Sequence, residues 1–63
     1  MEEECIRYLK PANVYRYCGP WCSYPITKAE AEKRIASWVL NDGYEIEIWE
    51  NDFVKGYSPK KPE

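Results

Sequence analysis

The sequence predicts an α+β domain in the order ββαββ, with a four-stranded antiparallel sheet and one helix packed on one face. Three observations support this fold class: an alternating pair of segments around a turn, a central segment with helical spacing and a capping box, and a second alternating pair. The chain has 63 residues, which is enough for one domain. We place that domain at residues 1–57 and a flexible, proline-rich tail at residues 58–63.

The first hairpin is predicted from two short segments on either side of a turn signal. Residues 4–10 alternate apolar side chains with Arg7, residues 14–18 are rich in β-forming residues, and Pro11–Asn13 favours a turn. A turn centred on Pro11 and Ala12 sets the register by pairing Cys5 with Cys18, Ile6 with Tyr17, and Tyr8 with Tyr15. The apolar and aromatic residues then share one face of the hairpin, and Arg7 and Arg16 share the other.

The central helix has the clearest local signals in the sequence. Gly19–Pro25 contains two prolines and a glycine, so it is predicted to be a loop. Thr27 and Glu30 have the spacing of a capping box, which predicts a helix from Lys28 to about Asn41. Gly43 is suited to ending that helix in the left-handed conformation. One stripe of the helix is predicted to face the sheet: Ala31, Ile35, Trp38 and Val39.

The second hairpin is predicted from the alternation of residues 44–50, YEIEIWE. A three-residue loop at 50–52 leads to a returning strand at 53–57. The predicted register pairs Glu47 with Lys55, Ile48 with Val54, and Trp49 with Phe53. In this register Val54 faces the helix, and Tyr57 lies on the opposite face together with Trp49.

The segment CGPWC at residues 18–22 contains the residue types of a thioredoxin active site, but three residues separate its cysteines instead of two. Together with Cys5, its cysteines could supply part of a zinc site. A Cys5–Cys18 or Cys18–Cys22 disulfide is a further alternative. The favoured interpretation is a turn with free thiols, because Gly19 and Pro20 redirect the chain and cysteine packs as a small apolar residue.

Composition limits the function classes. A net charge of -2 provides no general attraction to nucleic acid, and the chain has no histidine. It also lacks a glycine-rich phosphate loop and a nucleophile beside a base, so we expect a protein that is not an enzyme and needs no cofactor or metal.

The sequence also indicates the cellular compartment. No apolar run approaches the roughly 18 residues of a membrane span. The N-terminus, MEEECIRYLK, lacks the apolar segment of a secretion signal, and the cysteine count of three is odd. We therefore expect a cytoplasmic protein with no membrane partner.

The candidate binding surface is the sheet face that the helix leaves uncovered. It is predicted to combine aromatic and charged residues: Trp49, Phe53, Tyr57, Glu45, Glu47, Arg7 and Arg16. Apolar patches rimmed with charge are typical of protein contacts, so we expect a larger protein target or a homodimer. The alternative is a single-stranded nucleic-acid-binding module using the sheet aromatics with Arg7 and Arg16, a function that the acidic residues oppose.

The chain resembles small phage-encoded proteins that inhibit host enzymes or defence systems, including anti-CRISPR-type inhibitors. The shared properties are its length, mild acidity, tyrosine and tryptophan content, and predicted order of elements. The resemblance is one of class and involves no shared motif. It implies a stoichiometric inhibitor or adaptor in the host-cell cytoplasm, which occludes a larger protein target without turnover.

Overall fold

The chain folds into one antiparallel sheet with a helix across one of its faces. The structure is a computed structural model that describes residues 4–62. In chain order its elements are β1 (Cys5–Leu9), β2 (Val14–Cys18), β3 (Ser23–Ile26), α1 (Lys28–Leu40), β4 (Glu45–Glu50) and β5 (Val54–Lys60). The strands lie side by side in the order β3-β2-β1-β5-β4. Therefore β1 is the central strand, and β3 and β4 form the two edges.

The predicted four-stranded ββαββ sheet is wrong, because part of the segment assigned to a loop is the strand β3. Its residues pair with β2, including Pro25 opposite Arg16. The Gly19 amide donates to the Cys22 carbonyl at 2.7 Å, so these two residues form a hydrogen-bonded pair. Hydrogen-bonded and non-hydrogen-bonded pairs alternate along an antiparallel strand pair, which makes Arg16 and Pro25 a non-hydrogen-bonded pair. The Pro25 nitrogen therefore points away from β2. An edge strand tolerates such a proline, because no neighbour needs its missing N–H.

The register of the first hairpin is confirmed. The strands β1 and β2 pair Cys5 with Cys18, Ile6 with Tyr17, Arg7 with Arg16, and Tyr8 with Tyr15. This register places Arg7 and Arg16 side by side on one face and Ile6 on the other. Ile6 is the largest fully buried side chain of the described residues, at 0% exposure.

The predicted register of the second hairpin is wrong by three residues. The strands pair Glu50 with Lys55, Trp49 with Gly56, and Ile48 with Tyr57. The reason lies in the turn, where the Asn51 side chain accepts hydrogen bonds from the amides of Phe53 and Val54, each at 2.8 Å. An odd shift exchanges the two faces of a strand, so Tyr57 packs toward the helix and Val54 does not. The strand β5 continues to Lys60, three residues past the predicted domain boundary at Tyr57.

The core lies between α1 and the sheet. The buried residues are Ile6, Ala31 and Trp38, and Ile35 packs partly buried against them. Three residues of the predicted helix stripe therefore face the sheet, whereas Val39 is exposed. Val39 follows Trp38 by one residue, a rotation of about 100° around the helix that carries it away from the sheet.

The start of α1 is held by the predicted capping box. The Glu30 amide donates to Thr27 Oγ1 at 3.1 Å, and the Thr27 amide donates to Glu30 Oε1 at 3.0 Å.

We expect Thr27→Ala to lower the free energy of unfolding by about 1 kcal/mol, because a helix amide loses its acceptor. Chemical denaturation measures this change, with Thr27→Ser as the control that keeps the hydroxyl. Equal stability of the alanine variant and the wild type would contradict the role of the cap.

One hydrogen-bond network ties the start of β1 to the helix. The Glu4 carboxylate accepts from the Tyr17 hydroxyl at 2.7 Å and from Trp38 Nε1 at 3.0 Å. The Arg34 guanidinium lies 4.4 Å from the centre of the Tyr17 ring. The hydrogen bond to Glu4, followed by burial, raises the pKa of Tyr17 from its ordinary 10 to about 12.

This raised pKa predicts an alkaline loss of stability. The folded state holds the Tyr17 proton more tightly than the unfolded chain does, so its contribution is complete below pH 10 and is lost as the pH rises through about 12. In a phenolate absorbance titration, we expect an ionisation step with a midpoint near pH 12. Tyr17→Phe removes that late step. A titration curve of the wild type that lacks this late step, or one that Tyr17→Phe leaves unchanged, would contradict the network.

Candidate protein-binding face

The face of the sheet turned away from α1, which we call the open face, is organised around a single row of residues. Adjacent strands place five residues in this row, one from each strand: Trp49, Gly56, Arg7, Arg16 and Pro25. They lie opposite the helix because Arg7 alternates with the buried Ile6 along β1. The row therefore crosses the whole width of the sheet.

The Trp49 indole packs over Gly56 and lies close to Arg7. Gly56 is buried, and a Cβ atom at this position would overlap the Trp49 indole, so only glycine leaves room for the ring. The Arg7 guanidinium lies 5.8 Å from the centre of the Trp49 ring, within the range of a cation–π contact. Trp49 remains 39% exposed. The result is a stacked Arg–Trp pair with one surface toward solvent.

Arg7 and Arg16 are adjacent and have no ion-pair partner in the described chain. They occupy directly opposite positions on β1 and β2, where like charges repel. The Nε and Nη2 atoms of Arg16 both lie 3.4 Å from Ser23 Oγ, a neutral acceptor. Within residues 4–62, the salt bridge is the one between Lys10 and Glu50. The centre of the open face is therefore positively charged.

The arginines are flanked by apolar side chains at one end of the sheet. Leu9 lies opposite Val14 on β2 and Val54 on β5, and all three are partly buried. The central positive charge therefore has an apolar margin on one side, as contact surfaces commonly have.

Two cysteines flank the arginines at the other end. Cys5 and Cys18 are directly opposite, and both thiols are free, as is that of the exposed Cys22. Burial raises the pKa of the Cys5 thiol, and the neighbouring Cys18 adds to the rise, so Cys5 is a poor nucleophile. The Cys18 thiol lies 3.6 Å from Ser23 Oγ. The Cys5 and Cys18 thiols are therefore part of the packing of the sheet.

Residues 19–22 of CGPWC form the turn between β2 and β3, whereas Cys18 ends β2, so the predicted turn is confirmed for this part of the motif. The Gly19–Cys22 backbone bond closes it, and Trp21 projects from its tip at 90% exposure. Among residues 4–62, no three histidine, cysteine, aspartate or glutamate side chains are placed to share a metal ion.

The structure brings some of the predicted site residues together and separates others. Arg7, Arg16 and Trp49 are neighbours, and Glu45 and Glu47 lie on the same face along β4. Phe53 and Tyr57 do not join them.

Phe53 lies in the β4–β5 turn at 68% exposure, and Tyr57 packs against the core. The expected Trp49–Phe53–Tyr57 patch is therefore not formed, because it depended on the wrong register. Sequence reasoning also missed Gly56, although a glycine inside a strand is a signal for close approach of another group.

No protein-family model, curated protein or solved structure matches the chain. The resemblance to phage-encoded inhibitors accordingly stays a prediction. The helix of the described region, at 13 residues, is too short and too polar to cross a membrane.

Proposed function

We propose that this chain is a small protein-interaction module that binds stoichiometrically, with its open face docked on an acidic surface of a larger protein. The observation that carries the proposal is the pair Arg7–Arg16, adjacent and without a carboxylate partner in the described chain. Opposed like charges destabilise a sheet, and an acidic partner removes that penalty on binding. By covering such a surface the module blocks it, which is how an inhibitor of the kind it resembles would act.

The neighbours of the arginines fit the same role. Arginine and tryptophan are the residues that most often dominate the energy of protein interfaces. The Trp49–Arg7 stack is partly ordered before binding, because Gly56 and the strand register hold it, so little side-chain entropy is lost on docking. Leu9, Val14 and Val54 supply apolar contact area beside the charge.

A charge-matched pair of variants tests the proposal. Arg16→Gln and Lys33→Gln remove the same charge, but Arg16 lies on the open face and Lys33 is exposed on the helix. We expect Arg16→Gln to lose capture of protein partners from cell lysate while its melting temperature is equal to or above that of the wild type, because the repulsion with Arg7 is relieved. Lys33→Gln should behave as the wild type in both measurements.

Two outcomes would overturn the proposal. One is that Arg16→Gln captures the same proteins as the wild type. The other is strongly salt-dependent binding of a single-stranded oligonucleotide that Arg16→Gln abolishes, which would establish the nucleic-acid alternative. Self-association through this face stays a prediction, and light scattering over a concentration series with and without reductant measures it.

A further inference from the structure

The strand β4 leaves a row of backbone groups without partners at the edge of the sheet. The Lys10 amide donates to the Phe53 carbonyl, and the Asn51 amide donates to the Val54 carbonyl, both at 2.9 Å. The backbone amide and carbonyl groups of successive residues point to opposite sides of a strand. These two bonds therefore determine which residues of β5 bond to β1 and which bond to β4. The residues of β4 that bond to β5 are then Glu45, Glu47 and Trp49. The amides and carbonyls of Ile46, Ile48 and Glu50 point out of the sheet.

The two sheet edges of the described chain differ in protection. At β3, the strand has four residues and Pro25 removes an outward amide, which are common ways of preventing edge pairing. At β4, the strand has six residues and no proline, and its charged residues are three glutamates, which disfavour an acidic or identical strand but not a basic one. The β4 edge is therefore the side of the sheet on which another strand can pair.

The side chains of β4 define what such a strand must look like. On the open face, Glu47 has the neutral Ser58 as its neighbour on β5, so its carboxylate lacks a cation across the strand pair. Trp49 on the same face offers a ring that attracts cations. On the helix side, Ile46 is partly buried and Ile48 is 56% exposed, which favours apolar neighbours. A complementary strand alternates basic and apolar residues.

We propose that β4 binds an extended segment of a partner protein as a sixth strand of the sheet. The segment alternates basic residues, which lie opposite Glu47 and Trp49, with β-branched apolar residues, which lie opposite Ile46 and Ile48. Its backbone bonds to the outward amides and carbonyls of β4. Two copies of β4 are a poorer match, because each strand presents three glutamates to the other.

A capped eight-residue peptide of alternating lysine and valine is the probe. Ile48→Pro removes one outward amide and leaves the bonds between β4 and β5 intact, so the fold should survive, as the circular dichroism spectrum will show. We expect titration calorimetry to show at least about tenfold weaker binding to Ile48→Pro, because a hydrogen bond is lost and the proline ring obstructs the incoming strand. Glu47→Gln should weaken binding about threefold.

The controls separate strand pairing from other causes. Ile48→Val keeps the amide and should bind the peptide as the wild type does. A peptide alternating glutamate and valine should not bind. The open-face variant Arg16→Gln should bind the lysine–valine peptide as the wild type does. A failure of strand pairing at β4 can therefore be distinguished from a failure of partner binding at the open face. The inference is overturned by absence of peptide binding, by equal affinity for Ile48→Pro and wild type, or by a concentration-dependent dimer that Ile48→Pro abolishes.

Discussion

Replacing Ile6 with alanine is expected to lower the free energy of unfolding by about 2–5 kcal/mol. Ile6 lies on the central strand, is fully buried and packs in the cluster with Ala31 and Trp38. A natural domain has about 0.05–0.15 kcal/mol of stability per residue, or roughly 3–9 kcal/mol for a chain of this length. The substitution therefore removes between about a fifth of the total and all of it, depending on where in this range the protein lies.

Urea denaturation measures this loss against two controls. Ile6→Val removes one methylene and should cost about 1 kcal/mol. Leu40→Ala removes a side chain that is 81% exposed and should change stability by less than about 0.5 kcal/mol. If Ile6→Ala and Leu40→Ala were equally stable, the packing of α1 over β1 would be wrong.

Replacing Trp49 with alanine is expected to weaken binding of a partner to the open face by about 2 kcal/mol or more, which is about 30-fold. The reason is geometric as well as chemical. The indole covers Gly56, stacks with Arg7 and remains accessible, so the substitution removes contact area and frees the Arg7 side chain at once. Affinity for a captured partner, measured by calorimetry, gives the difference directly.

Two further variants distinguish this site from general loss of aromatic surface. Phe53→Ala removes the more exposed ring, at 68%, from a turn outside the open face and should leave affinity unchanged. Gly56→Ala keeps every binding side chain but displaces the indole, so its affinity should fall as in Trp49→Ala. Loss of binding in Phe53→Ala with Trp49→Ala unaffected would move the binding site to the turn.

Local signals in the sequence were sufficient for the first hairpin and the helix. The turn at Pro11–Asn13 lies between two short strands, and burial of Ile6 on one face leaves a single register for them. The capping box of Thr27 and Glu30 specifies where α1 begins. Each of these features depends on residues only a few positions apart, so the local spacing of residue types in the sequence is enough to predict it.

The β3 strand and the second register depend on information that the pattern lacks. Pro25 argues against a strand unless the strand is known to lie at an edge, and edge position is a property of the whole sheet. The second register depends on the Asn51 side chain capturing two backbone amides, an arrangement that competes with a simple three-residue loop.

Part of the candidate site could be predicted from the sequence. Arg7, Arg16 and Trp49 lie in segments whose alternation was correct, so their face was predicted correctly. Tyr57 was misplaced because an odd error in register reverses a strand. Contact between Trp49, Gly56 and Arg7 joins three strands, and no spacing in the sequence specifies it.

The most direct test of the open face is an NMR titration of the ¹⁵N-labelled chain with a capped glutamate-rich peptide, and separately with a thymidine oligonucleotide. We predict that the peptide shifts the side-chain signals of Arg7, Arg16 and Trp49 Nε1–H, that α1 is unaffected, and that the oligonucleotide binds more weakly. Peptide-induced shifts confined to α1 or the β4–β5 turn, or tighter binding of the oligonucleotide at the arginines, would contradict a protein-binding role for this face.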